Sequence, residues 1–324
     1  MLVLYRMNAR MNVKAKPNWA GDELLSRFVN LLIKTKPIYA VMKSQARRVL
    51  IRTAEKNNIQ WRENYRRLEK SGVKEAIAHL SNPDIAYPDY YQRPFHAYDE
   101  GNLCWPAAFE AASATQAMAL RVWPEESLTW QAAQGRLRTS FHEVLAQYGP
   151  QQVSDILDVG CSVGISTQAV HQYYQRIQAK PVRTVGLDLS PYMLAVARAQ
   201  DEGGNIRWLH AKAEETKLPN ASFDLITLQF IIHELPRHIT KAVFQEAHRL
   251  LRSGGCLAIV DNNPLSPVIQ SLSPVLFTLM KSTEPWSDDY YTFGVEAAIA
   301  QSGFKSVVTV ASDPRHRTII GKKI

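Results

Sequence analysis

The 324-residue sequence predicts an α/β protein, with a doubly wound parallel sheet in its C-terminal half and a mainly helical N-terminal extension. Three observations predict it. The short apolar run 156–159 passes straight into the turn Gly160-Cys161-Ser162-Val163-Gly164, after which Val170, Tyr173 and Ile177 fall at helical spacing. About thirty residues later the run 184–188 ends in an acid, Asp188, where a ribose-binding carboxylate belongs at the tip of a second strand. Strand and helix patterns then alternate, whereas nearly everything before Gly149-Pro150 has helical spacing.

The chain opens on a basic arm, 1–20, which Pro17 keeps from being a helix, and the composition suggests no secretory signal there. From Asp22, a plausible N-cap, Leu24, Leu25, Phe28, Leu31 and Leu32 predict a helix to 34. A second helix over 38–56 sets Ile38, Val41, Met42, Val49 and Thr53 near one face, with Lys43, Arg47, Arg48 and Arg52 towards the other. Such a helix either packs on its own protein with a solvated basic face, the reading the pattern favours, or lies on an anionic membrane, which leaves peripheral membrane contact through 22–56 as the alternative. No motif or aromatic stacking pattern supports nucleic-acid binding. Helical spacing continues over 60–80 until Asn82-Pro83.

The segment 87–102 is crowded with aromatic residues, polar groups and prolines and has no period. It reads either as a lid over a substrate pocket, with His96 and Tyr98 as acid–base groups, or as a strap covering the core with its rings. Helices follow over 106–122 and 126–148. Beyond the boundary at 150, strands are expected at 184–188, 206–210, 223–229 and 256–261, and helices from Ser190-Pro191 and over 237–251. The proline-broken apolar stretch 264–282 suggests a substrate-facing insertion; a helix over 295–302 and a strand pair over 305–311 and 317–321 close the chain. Three regions result: basic helical 1–83, aromatic loop and helical lid 84–150, and nucleotide-binding core 151–324.

Charge is uneven. The net +8 arises in residues 1–74, which hold 17 Lys and Arg against 5 Asp and Glu, while the rest of the chain is slightly acidic. Three scattered cysteines, Cys104, Cys161 and Cys256, form neither a disulfide framework nor a zinc site and suit a reducing, cytoplasmic compartment. No apolar run approaches the roughly 18 residues of a membrane span.

Asp158-x-Gly160-x-x-x-Gly164 followed by Asp188 resembles motif I and its successor acid in class I S-adenosylmethionine (SAM) methyltransferases, with Ser162 in place of the usual glycine. Ala213-Glu214-Glu215-Thr216-Lys217-Leu218-Pro219 with Phe223-Asp224, and Arg249-Leu250-Leu251-Arg252-Ser253-Gly254-Gly255, are similar to later motifs of the ubiquinone/menaquinone methyltransferase-like family. The resemblance covers about 150–324 and implies a seven-stranded Rossmann-like core, SAM as cofactor and methyl transfer to a small acceptor. The apolar insertion, aromatic loop and basic helix favour a lipophilic or aromatic, quinone- or phenol-like acceptor. By the same resemblance Asp188 takes the ribose hydroxyls, and 160–164, including Cys161 and Ser162, face the methionine portion. Ala213 and Glu214 take adenine, where Lys212 replaces a usual Asp. Leu189 and Met193 pack on the adenine ring, and Gln229 faces the cofactor.

His233 and Glu234, just past Gln229, are the first candidates for a base, with His96 as the third. Two histidines five apart, at 233 and 238, do not make the HExxH spacing, so no metal is expected. Two other functions fit the same core. An NAD-dependent oxidoreductase is disfavoured by the missing third glycine of GxGxxG, and a non-catalytic SAM-binding scaffold stays open. The oligomeric state is not encoded in any of these patterns.

Overall fold

The computed structural model describes residues 36–96, 98–272 and 283–324. The expected helix over 22–34 and most of the apolar insertion lie outside these residues.

β1 (Asp155–Val159) is buried along its whole length. A strand with helices on both faces is apolar at nearly every position, and that is why 156–159 reads as an apolar run broken only by Asp158. It is an interior strand of a seven-stranded sheet with β2 (Arg183–Asp188), β3 (Ile206–His210), β4 (Phe223–Gln229), β5 (Leu251–Asn262), β6 (Lys305–Ala311) and β7 (His316–Lys322). The order is β3-β2-β1-β4-β5-β7-β6. Strands β1 to β5 are parallel, while β7 runs antiparallel between β5 and β6. The chain turns to opposite sides of the sheet after β1 and before β4, which opens a crevice at their C-terminal ends. Because β7 is reversed, its first residue His316 pairs with Asn262, the last of β5, at that same edge.

Before the core stand α1 (Lys36–Lys56), α2 (Trp61–Lys70), a 3-10 turn Val73–Ala76, α3 (Ile77–Leu80), α4 (Trp105–Ala119) and α5 (Trp130–Tyr148). The helix expected over 60–80 is broken after Lys70 because Gly72 adopts φ +71°. Within the core lie α6 (Ile165–Ile177), α7 (Pro191–Gln200) and α8 (Arg237–Leu250), then the short α9 (Pro267–Gln270) and α10 (Ser287–Tyr291), and finally α11 (Val295–Gln301). Ser190 caps α7 by accepting from the Met193 amide, with Pro191 in the first turn, as the sequence predicts.

The N-terminal helices pack on α7: Leu68, Val73, Ala108 and Phe109 share a buried cluster with Val163, Met193 and Val196. On α1, Ile51 and Ala54 are buried with Ile59, Trp61 and Ala117. Arg47 pairs with buried Glu110, which also accepts from the Tyr98 hydroxyl. This packing favours the self-packed form of the basic helix over the membrane-lying one. Among the described residues no helix is long and apolar enough to cross a membrane.

Candidate active site

The crevice is floored by the turn between β1 and α6. Gly160, Ser162 and Gly164 all take positive φ, of +70°, +49° and +81°. A Cβ on Gly160 would lie 2.0 Å from Ile231 Cδ1, and one on Gly164 would lie 2.4 Å from the Trp208 ring. Positive φ favours glycine at both, and at 164 the Trp208 ring bars a Cβ as well, whereas at 160 the Ile231 tip could swing aside. Ser162 carries a side chain in the left-handed region, at a cost glycine would not incur. The Gly160 and Cys161 amides donate to Leu187 O at 2.7 and 2.9 Å, which locks the turn to the end of β2.

Two carboxylates hang from this floor. Asp158 is buried and accepts from Thr167 Oγ1 at 2.6 Å, Thr227 Oγ1 at 2.5 Å and Gln229 Nε2 at 3.3 Å. Burial raises its pKa, and these donors work against that rise. Asp188 ends β2 and accepts the Ser162 amide on Oδ2 at 2.8 Å and the Ser190 amide on Oδ1 at 2.8 Å. The Leu189 amide also supports it, and its one side-chain donor, the Tyr91 hydroxyl, stands at 3.4 Å. A carboxylate offers about four acceptor positions, so a ligand hydroxyl reaches Asp188 by displacing that long bond. Tyr91 shows that a hydroxyl is what approaches it.

Above the floor runs the aromatic segment. Tyr90 donates to both Glu214 oxygens at 2.9 and 3.0 Å, and Tyr87 stacks on Tyr91 with ring centroids 6.5 Å apart. Trp286 donates to Tyr90 O at 3.4 Å, and the His96 amide donates to Thr283 O at 2.9 Å. The segment thus acts as a strap across the open ends of β2 and β3, tied to the C-terminal region.

A second group of ionisable side chains occupies the ends of β4 and β5. His233 sits in the 3-10 turn Ile232–Glu234, and its Nδ1 meets Asp261 Oδ1 at 2.7 Å. Asp261 also accepts the Asn262 amide at 2.7 Å and the His233 amide at 3.3 Å. With a carboxylate on Nδ1, that nitrogen carries the proton, and Nε2 faces the site. Nε2 lies 4.0 Å from Glu234 Oε1, and His96 Nε2 lies 3.9 Å from both Glu234 and Glu284. Burial disfavours the imidazolium of His233. Asp261, with Glu284 and Glu234 behind it, outweighs that and pushes His233 up to about 10. Burial pushes Glu234 up to about 8 and raises Glu284, with His233 opposing both. Burial and the charge of His233 lower His96, though its side chain is 44% exposed and water offsets part of that. Near neutral pH, then, His233 holds its proton and His96 does not. Among the described residues no group of three or more His, Cys, Asp or Glu is placed to hold a metal ion.

A family model described as a methyltransferase domain matches residues 156–255. Residues 156–255 are a methyltransferase domain. An uncharacterized methyltransferase of Bacillus subtilis, YcgJ, is 32% identical over 118 residues, 35% of this chain and 43% of that protein. A demethylmenaquinone methyltransferase of Listeria welshimeri is 35% identical over 81 residues, 24% of this chain and 34% of that protein. The matches span less than half the length of these curated relatives. Human N-acetylserotonin methyltransferase solved with SAM superposes with a TM-score of 0.49 at 12% identity, covering 79% of this chain and 68% of that one. The strand order β3-β2-β1-β4-β5-β7-β6 is that of a seven-stranded Rossmann-like sheet, as the sequence predicts.

The methyltransferase domain brings Asp158, Gly160, Ser162, Gly164, Asp188 and Gln229 together on one crevice floor. Cys161 departs from its expected role: its amide is used by Leu187, and its thiol packs with Leu194, Ala197, Ile206 and Trp208. Met193 is buried in the cluster under α4, touching the site only through Ser162 Oγ at 3.6 Å from its sulfur. Leu189 is buried, and its carbonyl lies 3.0 Å from His210 Nε2. Gln229 spends its amide on Asp158. Ala213 packs against the core, Glu214 holds the strap, and Lys212 forms a bridge with Glu215. Tyr98 points to Glu110, away from the acid–base group. Sequence reasoning missed Tyr90, Tyr91, Asp261 and Glu284. Asp261 carried a readable signal, an acid closing an apolar strand as Asp188 does.

Proposed function

We propose that this chain transfers a methyl group from SAM to a small acceptor, lipophilic or aromatic in character and phenol- or quinol-like. The observation that carries the reading is Asp188, a carboxylate at the end of β2 held by backbone amides, with one long hydroxyl bond that a ligand hydroxyl can replace. The glycine turn leaves the backbone open beside it, and Glu214 stands near by for an exocyclic donor. SAM supplies an electrophilic methyl on a sulfonium. The chain holds the acceptor in line with that methyl and manages the acceptor's proton.

His233, oriented by Asp261, is the proton-holding group. Near neutral pH its ring is already an imidazolium, with no nitrogen free to take the acceptor's proton. It stabilises the negative charge that develops on the acceptor oxygen, while the acceptor's proton passes to His96, which is unprotonated there. Glu234 and His96 complete the rim. The strap rings of Tyr87, Tyr90 and Tyr91 offer apolar faces suited to a flat acceptor. Since Ile51 and Ala54 are turned inward, no bilayer contact of the described part of α1 is included.

Calorimetric titration with SAM and S-adenosylhomocysteine, beside Asp188→Ala, tests the cofactor. Micromolar binding lost in the variant is expected, followed by turnover of phenols or quinols with labelled methyl donor. Absence of binding to either ligand sinks the methyltransferase activity; binding without turnover across that acceptor set leaves a SAM-binding scaffold.

A further inference from the structure

Arg138, in the middle of α5, is only 8% exposed. Its Nη2 reaches Gln134 Oε1 at 3.4 Å, the long end of a hydrogen bond, and its Nε has no hydrogen-bond partner among the described residues. No carboxylate of the described residues comes within ion-pair distance of it, whereas equally buried Arg317 reaches Glu296 at 2.7 Å. A guanidinium has five donors, and leaving them unmet in a buried place is costly. The uncompensated burial lowers its pKa to about 10, with Asp158 the one opposing charge.

Its position gives the shortage a purpose. The guanidinium lies 5.6 Å from the centroid of the Phe230 ring. Phe230 holds φ +60°, a backbone state that bulky residues avoid. It stands between Gln229, whose amide reaches Asp158, and Ile231, whose Cδ1 covers Gly160. Arg138 therefore stands beside the residue that follows Gln229, close enough to Asp158 to feel its charge. It does not satisfy itself on Asp158: no hydrogen bond or ion pair joins the two, and Asp158 is already held by Thr167, Thr227 and Gln229. The missing partner is a second, external carboxylate.

We propose that Arg138 binds the α-carboxylate of the cofactor's methionine portion. The assignment rests on the SAM reading above and adds to it the group that separates an amino-acid-bearing nucleoside from a plain one. The planar fork of arginine suits two parallel bonds to a carboxylate. If Arg138 served only to balance buried Asp158, it would be indifferent to what the ligand carries.

Calorimetry of the full chain with SAM and with decarboxylated SAM separates the two roles. The wild type is expected to bind the decarboxylated form at least about tenfold more weakly, the loss of a charge-assisted pair. Arg138→Gln is expected to weaken SAM by a similar factor while leaving decarboxylated SAM within about twofold, so that discrimination disappears. Arg138→Lys, which keeps charge without the fork, falls between. Equal wild-type affinity for the two ligands overturns the assignment without needing any variant. So does an Arg138→Gln protein that weakens both ligands alike. A wild type that binds neither ligand removes the cofactor reading itself, and this assignment with it.

Discussion

Replacing Asp261 by Asn tests the electrostatics of the acceptor side. Asn keeps an oxygen to accept from His233 Nδ1 but removes the negative charge that holds the imidazolium. His233 titrates near 10 in the folded chain against an ordinary 6.5. A raised value in the folded state means that the pair's stabilisation is whole below 6.5 and fades as pH climbs through about 10. From these two values, the stabilisation linked to His233 is bounded at about 4 kcal/mol at pH 7 and about 1 kcal/mol at pH 9.5. Breaking a buried pair by removing one partner has effects of the same order, about 3–5 kcal/mol. Urea unfolding of wild type and Asp261→Asn at both pH values, at one ionic strength, should show a large gap at pH 7 that mostly closes at pH 9.5. Glu234, raised by burial, lowers stability as pH rises from 4.5 through about 8, but it does so in both proteins and largely cancels in the difference. An equal loss at the two pH values would refute the ion pair and leave Asp261 a hydrogen-bonding residue only.

Other perturbations address the crevice floor. Ser162→Gly relieves a left-handed serine and should stabilise the protein by about 0.5–1 kcal/mol, read as a rise in the urea midpoint at unchanged slope. Gly164→Ala adds a methyl 2.4 Å from the Trp208 ring at φ +81° and should cost about 2 kcal/mol or more in thermal unfolding. Thr227→Val takes a donor from buried Asp158 and should cost about 1–3 kcal/mol in the same assay. Tyr91→Phe frees Asp188 Oδ1 of a weak competitor, so S-adenosylhomocysteine should bind up to about fivefold more tightly; weaker binding would mean that the phenol assists the ligand.

What the sequence discloses follows how locally each feature is built. Strand β4 ends where its apolar run ends, and β1 and β2 begin only one residue early, because interior parallel strands are covered on both faces; the edge strand β3 is found from its alternation instead. The helix α10 escapes the eye, since its buried Tyr290 and Tyr291 follow two aspartates in a polar stretch and are buried only by contacts made across the fold. Strand β5 is longer than expected because Arg252–Gly255, read as a turn, is a bulge within it. The same rule divides the site. The glycine turn and Asp188 lie within one strand–helix–strand unit, so their spacing is visible as text. Tyr91 is 97 residues from the Asp188 it meets, Tyr90 is 124 from Glu214, and Asp261 is 28 from His233. No periodicity links such partners. The half of the crevice proposed for the cofactor is thus written in order, while the half proposed for the acceptor is assembled from the strap, the end of β5 and the segment before α10. Related domains can keep the first half and exchange the second, because a common methyl donor fixes the floor while each acceptor is met by residues that no shared motif constrains. Acceptor identity should therefore follow His96, His233, Asp261, Glu284 and the strap tyrosines, and changes confined to those side chains should alter which acceptor is used while SAM affinity stays within a few-fold.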